Sequence, residues 1–182
     1  MLYQLLANHP EAIVQIVKQT PTWVWGLFSG LMVLGVTQLR DRTQSLARVS
    51  IMPVAMTVFS AWGMVSAFGN SPHFTGVLAA WIVTAAIVGA VVSLGDSGAR
   101  YDAATRSYAL PGSVVPLLLI AGIFLTKYWV GVELAMQPQL VRDASFALPV
   151  ATLYGVFNGL FAGRAARLWK LAHRASPMTA AA

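Results

Sequence analysis

Residues 74–94 read FTGVLAAWIVTAAIVGAVVSL, 21 positions without a single Asp, Glu, Lys or Arg. As a helix rising 1.5 Å per residue, this stretch is about 31 Å long, the thickness of a bilayer's hydrocarbon core. Strand-like alternation is absent, and an open sheet edge cannot be satisfied in hydrocarbon, so a helix is the only reading. This stretch sets the fold class, and the rest of the chain repeats it. Four more apolar runs cover 22–39, 49–68, 112–136 and 144–163, the last with a helical tail to about 172. Thr20-Pro21 opens the first run as a cap and first-turn pair, and Pro111-Gly112 opens the fourth. The expected fold is an all-α integral membrane protein, a five-transmembrane-helix bundle.

Composition agrees. Of 182 residues, 57% are hydrophobic and 10% charged. A soluble domain carries about 25% charged residues, so neither a water-facing surface nor a disordered chain can be built from this composition. There are no cysteines, which excludes disulfides, thiolate metal sites and thiol redox chemistry. The +6 balance reads as a topology signal before it reads as affinity for nucleic acid, and no nucleic-acid partner is expected.

Lys and Arg alone set orientation. Arg40, Arg42, Arg48, Arg100, Arg106, Arg164, Arg167, Lys170 and Arg174 fall on one side, and Lys18, Arg142 and Lys127 are counted on the other. The basic side is read as cytoplasmic, so the N-terminus lies outside and the C-terminus inside. The first apolar run follows Glu11 and Lys18 rather than a basic leader, so it is read as a retained helix and not a signal peptide. Residues 10–19, PEAIVQIVKQ, group Ile13, Ile16 and Val17 on one face of a short amphipathic interfacial helix. Residues 100–108 read as a small cytoplasmic β-hairpin between the third and fourth spans. Tyr101 and Tyr108 sit in its arms, Asp102 to Thr105 form its turn, and no other strand is expected. One membrane domain is expected over 1–174, with a disordered tail over 175–182.

Few side chains carry chemistry. Lys127 is the outstanding ionisable residue, about 20 Å along a roughly 30 Å core when counted from Val114. Glu133, six residues on, does not share its face and is expected near the outer boundary, where a charge is cheap. Asn158 is the other candidate for a polar path. Gly155, Gly159 and Gly163, four residues apart, give the fifth span a smooth face for close helix packing. Gly26 and Gly30 form a second small pair, and Ala86 and Ala90 a weaker third. Thr57 and Ser60 are expected to bond their own backbone carbonyls. Arg40, Arg42, Arg48, Arg164, Arg167 and Lys170 are lipid head-group candidates, although setting topology is the plainer role for them. His9, His73 and His173 lie outside the spans and match no ligand spacing, so no metal or cofactor is expected. No phosphate loop, nucleophile elbow or paired carboxylates appear, so no catalytic residues are assigned and an enzyme is not expected.

Three segments carry a resemblance: RYDAATRSYALPGSVVPLLLIAGIFLTKYWVGVELAMQP at 100–138, TPTWVWGLFSGLMVLGVTQLRDR at 20–42 and YGVFNGLFAGRAARLW at 154–169. Together they resemble an uncharacterised family of small multi-pass bacterial inner-membrane proteins. The resemblance implies a bacterial inner membrane and supports five helices, but it supplies no activity. The functional expectation is a non-enzymatic structural, assembly or accessory module, in a homo-oligomer or larger membrane complex. The alternatives are a small oligomeric permease or channel near Lys127 and Asn158, and, with least support, a membrane enzyme.

Overall fold

The computed structural model describes residues 11–175. His9 and the tail beyond 175 lie outside the described residues. In chain order the elements are α1 (Glu11–Gln19), α2 (Thr22–Thr37), β1 (Arg42–Ser45), α3 (Leu46–Phe68), α4 (Phe74–Leu94), β2 (Arg100–Asp102), β3 (Ser107–Leu110), α5 (Val115–Met136), a 3-10 turn (Pro138–Arg142) and α6 (Ala144–Ala175). Four helices, α3 to α6, are long and apolar enough to cross a membrane, which makes the chain a multi-pass membrane protein by helix length and composition. The helix in the first apolar run, α2, has 16 residues and is about 24 Å long, shorter than those four.

The described residues group into two compact units, 11–39 with 113–140 and 40–112 with 141–175. In the first unit α2 runs antiparallel to α5. Phe28 meets Phe124 at 4.6 Å between ring centroids, Trp25 meets Tyr128 at 6.2 Å, and Thr20 Oγ1 lies 2.6 Å from Tyr128 Oη. At the other end Ser113 N donates to Gln38 O at 3.0 Å. Ser113 thereby becomes part of the turn, and Pro116 takes the first helical turn, where its missing N–H costs nothing. The helix therefore starts at Val115 rather than 112.

In the second unit α4 and α6 run parallel in constant register. Gly76 faces Leu148, Gly155 faces Trp81 and Thr84, Gly159 faces Ala85 and Val88, and Gly163 faces Gly89 and Val92. The third helix, α3, is antiparallel to α6, with Ser60 opposite Asn158 and Ser50 opposite Trp169. It begins at Leu46, ahead of the expected 49, because the side chain of Ser45 caps it by accepting from Arg48 N at 3.4 Å. Large apolar side chains remain outward: Ile51, Phe59 and Trp62 on α3, and Ile82, Ile87 and Val91 on α4. A monomer in water does not carry apolar surface on this scale, whereas lipid accepts it.

The hairpin is one part of a three-stranded antiparallel sheet ordered β1-β3-β2, so the expectation of a hairpin as the sole strand structure is corrected. Its register pairs Tyr101 with Tyr108 and Asp102 with Ser107, while β1 pairs Arg42 with Leu110 and Ser45 with Ser107. Asp102 builds the turn by accepting from Ala104 N at 2.9 Å and from Thr105 Oγ1 at 2.8 Å. Both hydrogen bonds hold its carboxyl below the usual range. The sheet's apolar face rests on the start of α3 and the end of α6. There Tyr108 is fully buried with Val49 and Ala172, and Tyr101, Leu110, Leu168 and Leu171 pack around them. This explains the length of α6: its 32 residues span about 48 Å, and the surplus over a bilayer core carries the sheet.

Candidate functional site

The buried polar centre of the second unit is Asn158. Its Nδ2 donates to Ser60 Oγ at 2.7 Å and to Tyr154 O at 2.9 Å. Both Asn158 and Ser60 are buried. Ser60 thus serves a neighbouring helix, in addition to any bond to its own backbone, while Thr57 does bond Pro53 O at 2.9 Å. Ser60 and Asn158 each lie 14 residues into their helices, about 21 Å from the start and well inside the span.

Beside Asn158 runs the glycine face. A Cβ on Gly155 would stand 2.6 Å from Trp81 O, one on Gly159 2.7 Å from Ala85 O, and one on Gly163 2.7 Å from Gly89 O. The backbones of α4 and α6 therefore touch for three successive turns, and only glycine allows it. The face of α4 used here is Trp81, Thr84, Ala85, Val88, Gly89 and Val92. Ala86 and Ala90 lie on its exposed side, away from α6. Gly26 and Gly30 on α2 have nothing within 4 Å of a would-be Cβ.

On α5 the two ionisable residues differ in exposure. Lys127 is exposed, whereas Glu133 is only 3% exposed and shares a buried stripe with Val130. The reason is rotational. This helix is apolar all round, so its sequence carries no amphipathic signal for which face turns inward. Asp143, just ahead of α6, accepts from Ser145 N and Ser145 Oγ, each at 2.8 Å, and these bonds hold its carboxyl below the usual range.

Most basic residues converge at the sheet end of the second unit. Arg40 and Arg48 are exposed, and Arg42 on β1 is half-buried, with burial pulling its guanidinium below its usual value. On α6, Arg164, Arg167 and Lys170 follow one another at three-residue spacing. Arg167 Nη1 donates to Asp96 O at 2.7 Å, and Lys170 Nζ donates to Ser93 O and Ser93 Oγ at 3.2 Å. These two cations cap the C-terminus of α4, where unsatisfied carbonyls and the helix dipole favour positive charge. Gly95 leaves the space they use, since a Cβ there would sit 3.3 Å from Arg167 Nη1. Arg164 lies within electrostatic reach of two charges, Arg167 and Arg42, both cations. Asp41 accepts from Gly112 N at 2.7 Å and Asp96 from Gly98 N at 3.3 Å.

Two anchors at this end have no clear local signal in the sequence. Tyr108 Oη donates to Leu168 O at 2.8 Å, and Trp169 Nε1 donates to Ser50 Oγ at 3.0 Å. The apolar face Leu168, Leu171 and Ala172 on an otherwise basic helical tail is the one feature that could have pointed to them. Among the described residues, no group of three or more His, Asp or Glu side chains is placed to hold a metal ion.

The chain belongs to DUF6622, a family of unknown function, whose family model matches residues 1–179. No curated relative and no solved structure matches it.

Proposed function

We propose that this protein is a five-span, non-enzymatic membrane module of a bacterial inner membrane, with its sheet and basic end in the cytoplasm and its N-terminus outside. Within that reading it serves as a structural or accessory component. The parallel pair α4 and α6 is the observation that carries it. Two helices that cross in the same direction require one return crossing between them, and α5 is the connecting helix long enough to make it. Helix α2 lies antiparallel along α5 from Thr20–Tyr128 to Gln38–Ser113, which supports α2 as the fifth span. Its apolar run extends to Leu39, about 27 Å of helix rise, and small mismatches of this kind are absorbed by local bilayer thinning.

The non-enzymatic reading is supported by what the polar side chains do. Asn158 joins α6 to α3, Arg167 and Lys170 cap α4, Asp41 ties its loop to Gly112, and Asp96 and Asp102 hold turns. For the permease alternative, Asn158 is poorly placed to line a path, because its amide donates to Ser60 on α3 and to Tyr154 O on its own helix.

The absence of native cysteines makes the topology simple to test. Gln15→Cys, Asn70→Cys and Gln139→Cys should react with an impermeant maleimide in intact cells. Ala103→Cys should react only after permeabilisation. Protection of Gln15→Cys together with Ala103→Cys would remove the fifth span, and external labelling of Ala103→Cys would invert the topology.

A further inference from the structure

We infer that α1 is a lipid-binding helix, embedded in the outer leaflet with Val14 and Val17 among phospholipid acyl chains. The inference rests on the membrane-spanning reading above and extends it to a segment which that reading leaves unused. Depth is the first argument. Thr20 closes α1, because its N and its Oγ1 both donate to Ile16 O, at 3.0 and 2.7 Å. Pro21 is extended, with ψ at 141°, so α1 and α2 are separate helices. The Thr20 hydroxyl proton is spent on Ile16 O, so Tyr128 Oη is the donor in the 2.6 Å bond to Thr20 Oγ1. This bond sets the end of α1 level with Tyr128, 13 residues past Val115 and about 20 Å of helix rise. A core of about 30 Å counted from Val115 extends about 10 Å beyond that point. An interfacial amphipathic helix sits about 5–10 Å into the head-group and acyl boundary, which is this layer. It is also the layer that the short helix α2 does not reach.

The division of side chains around α1 is the second argument. Ile16 is half-buried, whereas Val14 is 53% and Val17 43% exposed. These two valines lie three residues apart on one face, and the exposed Gln15 and Gln19 lie on the far side. Lys18 is also exposed and follows Val14 by one turn. Its stem can cover the apolar strip while its ammonium reaches the phosphate layer. A helix of nine residues is marginal in water and needs an apolar surface to rest on. Lipid supplies that surface, because the exposed strip continues into α2, where Trp23 is 69% and Leu27 50% exposed. Tryptophan is the residue that favours this boundary.

The test is a nitroxide depth scan of the full chain in vesicles of phosphatidylcholine and phosphatidylglycerol. With no native cysteines, one label at a time enters through Val14→Cys, Gln15→Cys, Val17→Cys or Gln19→Cys. Collisions with oxygen, which concentrates among acyl chains, are compared with collisions with a nickel chelate, which stays in water. Labels at 14 and 17 should favour oxygen and report a depth of about 5–10 Å. Labels at 15 and 19 should favour nickel. Nickel preference at all four positions would place α1 in water and overturn the inference. Few collisions with either reagent at 14 and 17 would also overturn it, by placing a protein surface over the valines. Equal depth at 15 and 17 would remove the lipid-facing strip. Ile87→Cys, exposed on α4 and 13 residues past Phe74, reports the spanning reading separately. Oxygen preference there with nickel preference throughout α1 refutes the lipid helix alone. Nickel preference at Ile87→Cys refutes the spanning reading, and the inference with it.

Discussion

Gly159→Ala is a one-carbon change with a calculable effect. The added Cβ would lie 2.7 Å from Ala85 O, 2.7 Å from Val88 Cβ and 2.9 Å from Gly89 N. Two of those three neighbours are backbone atoms, so no side chain can rotate away. Reaching an ordinary contact of 3.4 Å requires α4 and α6 to separate by about 0.7 Å. A gap of that size also weakens the dispersion contacts made through Gly155 and Gly163, by about a quarter to a half. Overpacking costs about 1–3 kcal/mol, and the immobile neighbours put this site near the upper end. Alanine's better helix propensity returns about 1 kcal/mol, leaving a net loss of about 2 kcal/mol. The assay is reversible unfolding in mixed detergent micelles, with Gly26→Ala and Gly131→Ala as controls. Both control sites have nothing within 4 Å, so they should be neutral or slightly stabilised. Gly159→Leu should be worse than Gly159→Ala. Wild-type stability of Gly159→Ala, or an equal loss in Gly131→Ala, would refute the reasoning.

Two other perturbations test the remaining anchors. Burial and the neighbouring Tyr101 raise the Tyr108 hydroxyl above its ordinary value, so its contribution is complete below about pH 10 and is lost as pH rises through the higher folded value. Tyr108→Phe should lose about 1 kcal/mol at neutral pH through the missing bond to Leu168 O and should flatten that alkaline decline; an unchanged decline would show that another group causes it. Asn158→Ala and Ser60→Ala should each destabilise the second unit, with a coupling of about 0.6 kcal/mol and at most about 1.7 in a double-mutant cycle. Strict additivity would mean the bond contributes nothing.

The four long apolar helices were legible because the information is local. Length and hydropathy specify each apolar run, and the boundaries of α4 at Phe74 and Leu94 follow from its capless apolar stretch and the Gly95 that ends it. The hairpin was legible for the same reason, since the turn from Asp102 to Thr105 is written in adjacent residues. The third strand was not. Arg42–Ser45 is short and polar, and it becomes a strand only because β3, distant in sequence, offers it an edge.

The candidate site divides along the same line. Three glycines at four-residue spacing state that α6 can be approached closely, but the spacing carries no name for the partner. That partner is the face of α4 bearing Ala85 and Gly89, chosen by backbone fit. Basic residues concentrated on one side are a sequence property; that Arg167 and Lys170 cap α4 is a tertiary one. By itself the sequence determined that the chain lies in a membrane, where its helices run and which end is basic, because transfer of apolar side chains into lipid depends on composition and length. Which face of each helix turns inward was decided only by the fold. Helices that are apolar on every side have no preferred face until a neighbour's backbone and a few hydrogen bonds supply one, which is why Glu133 is buried and Lys127 exposed.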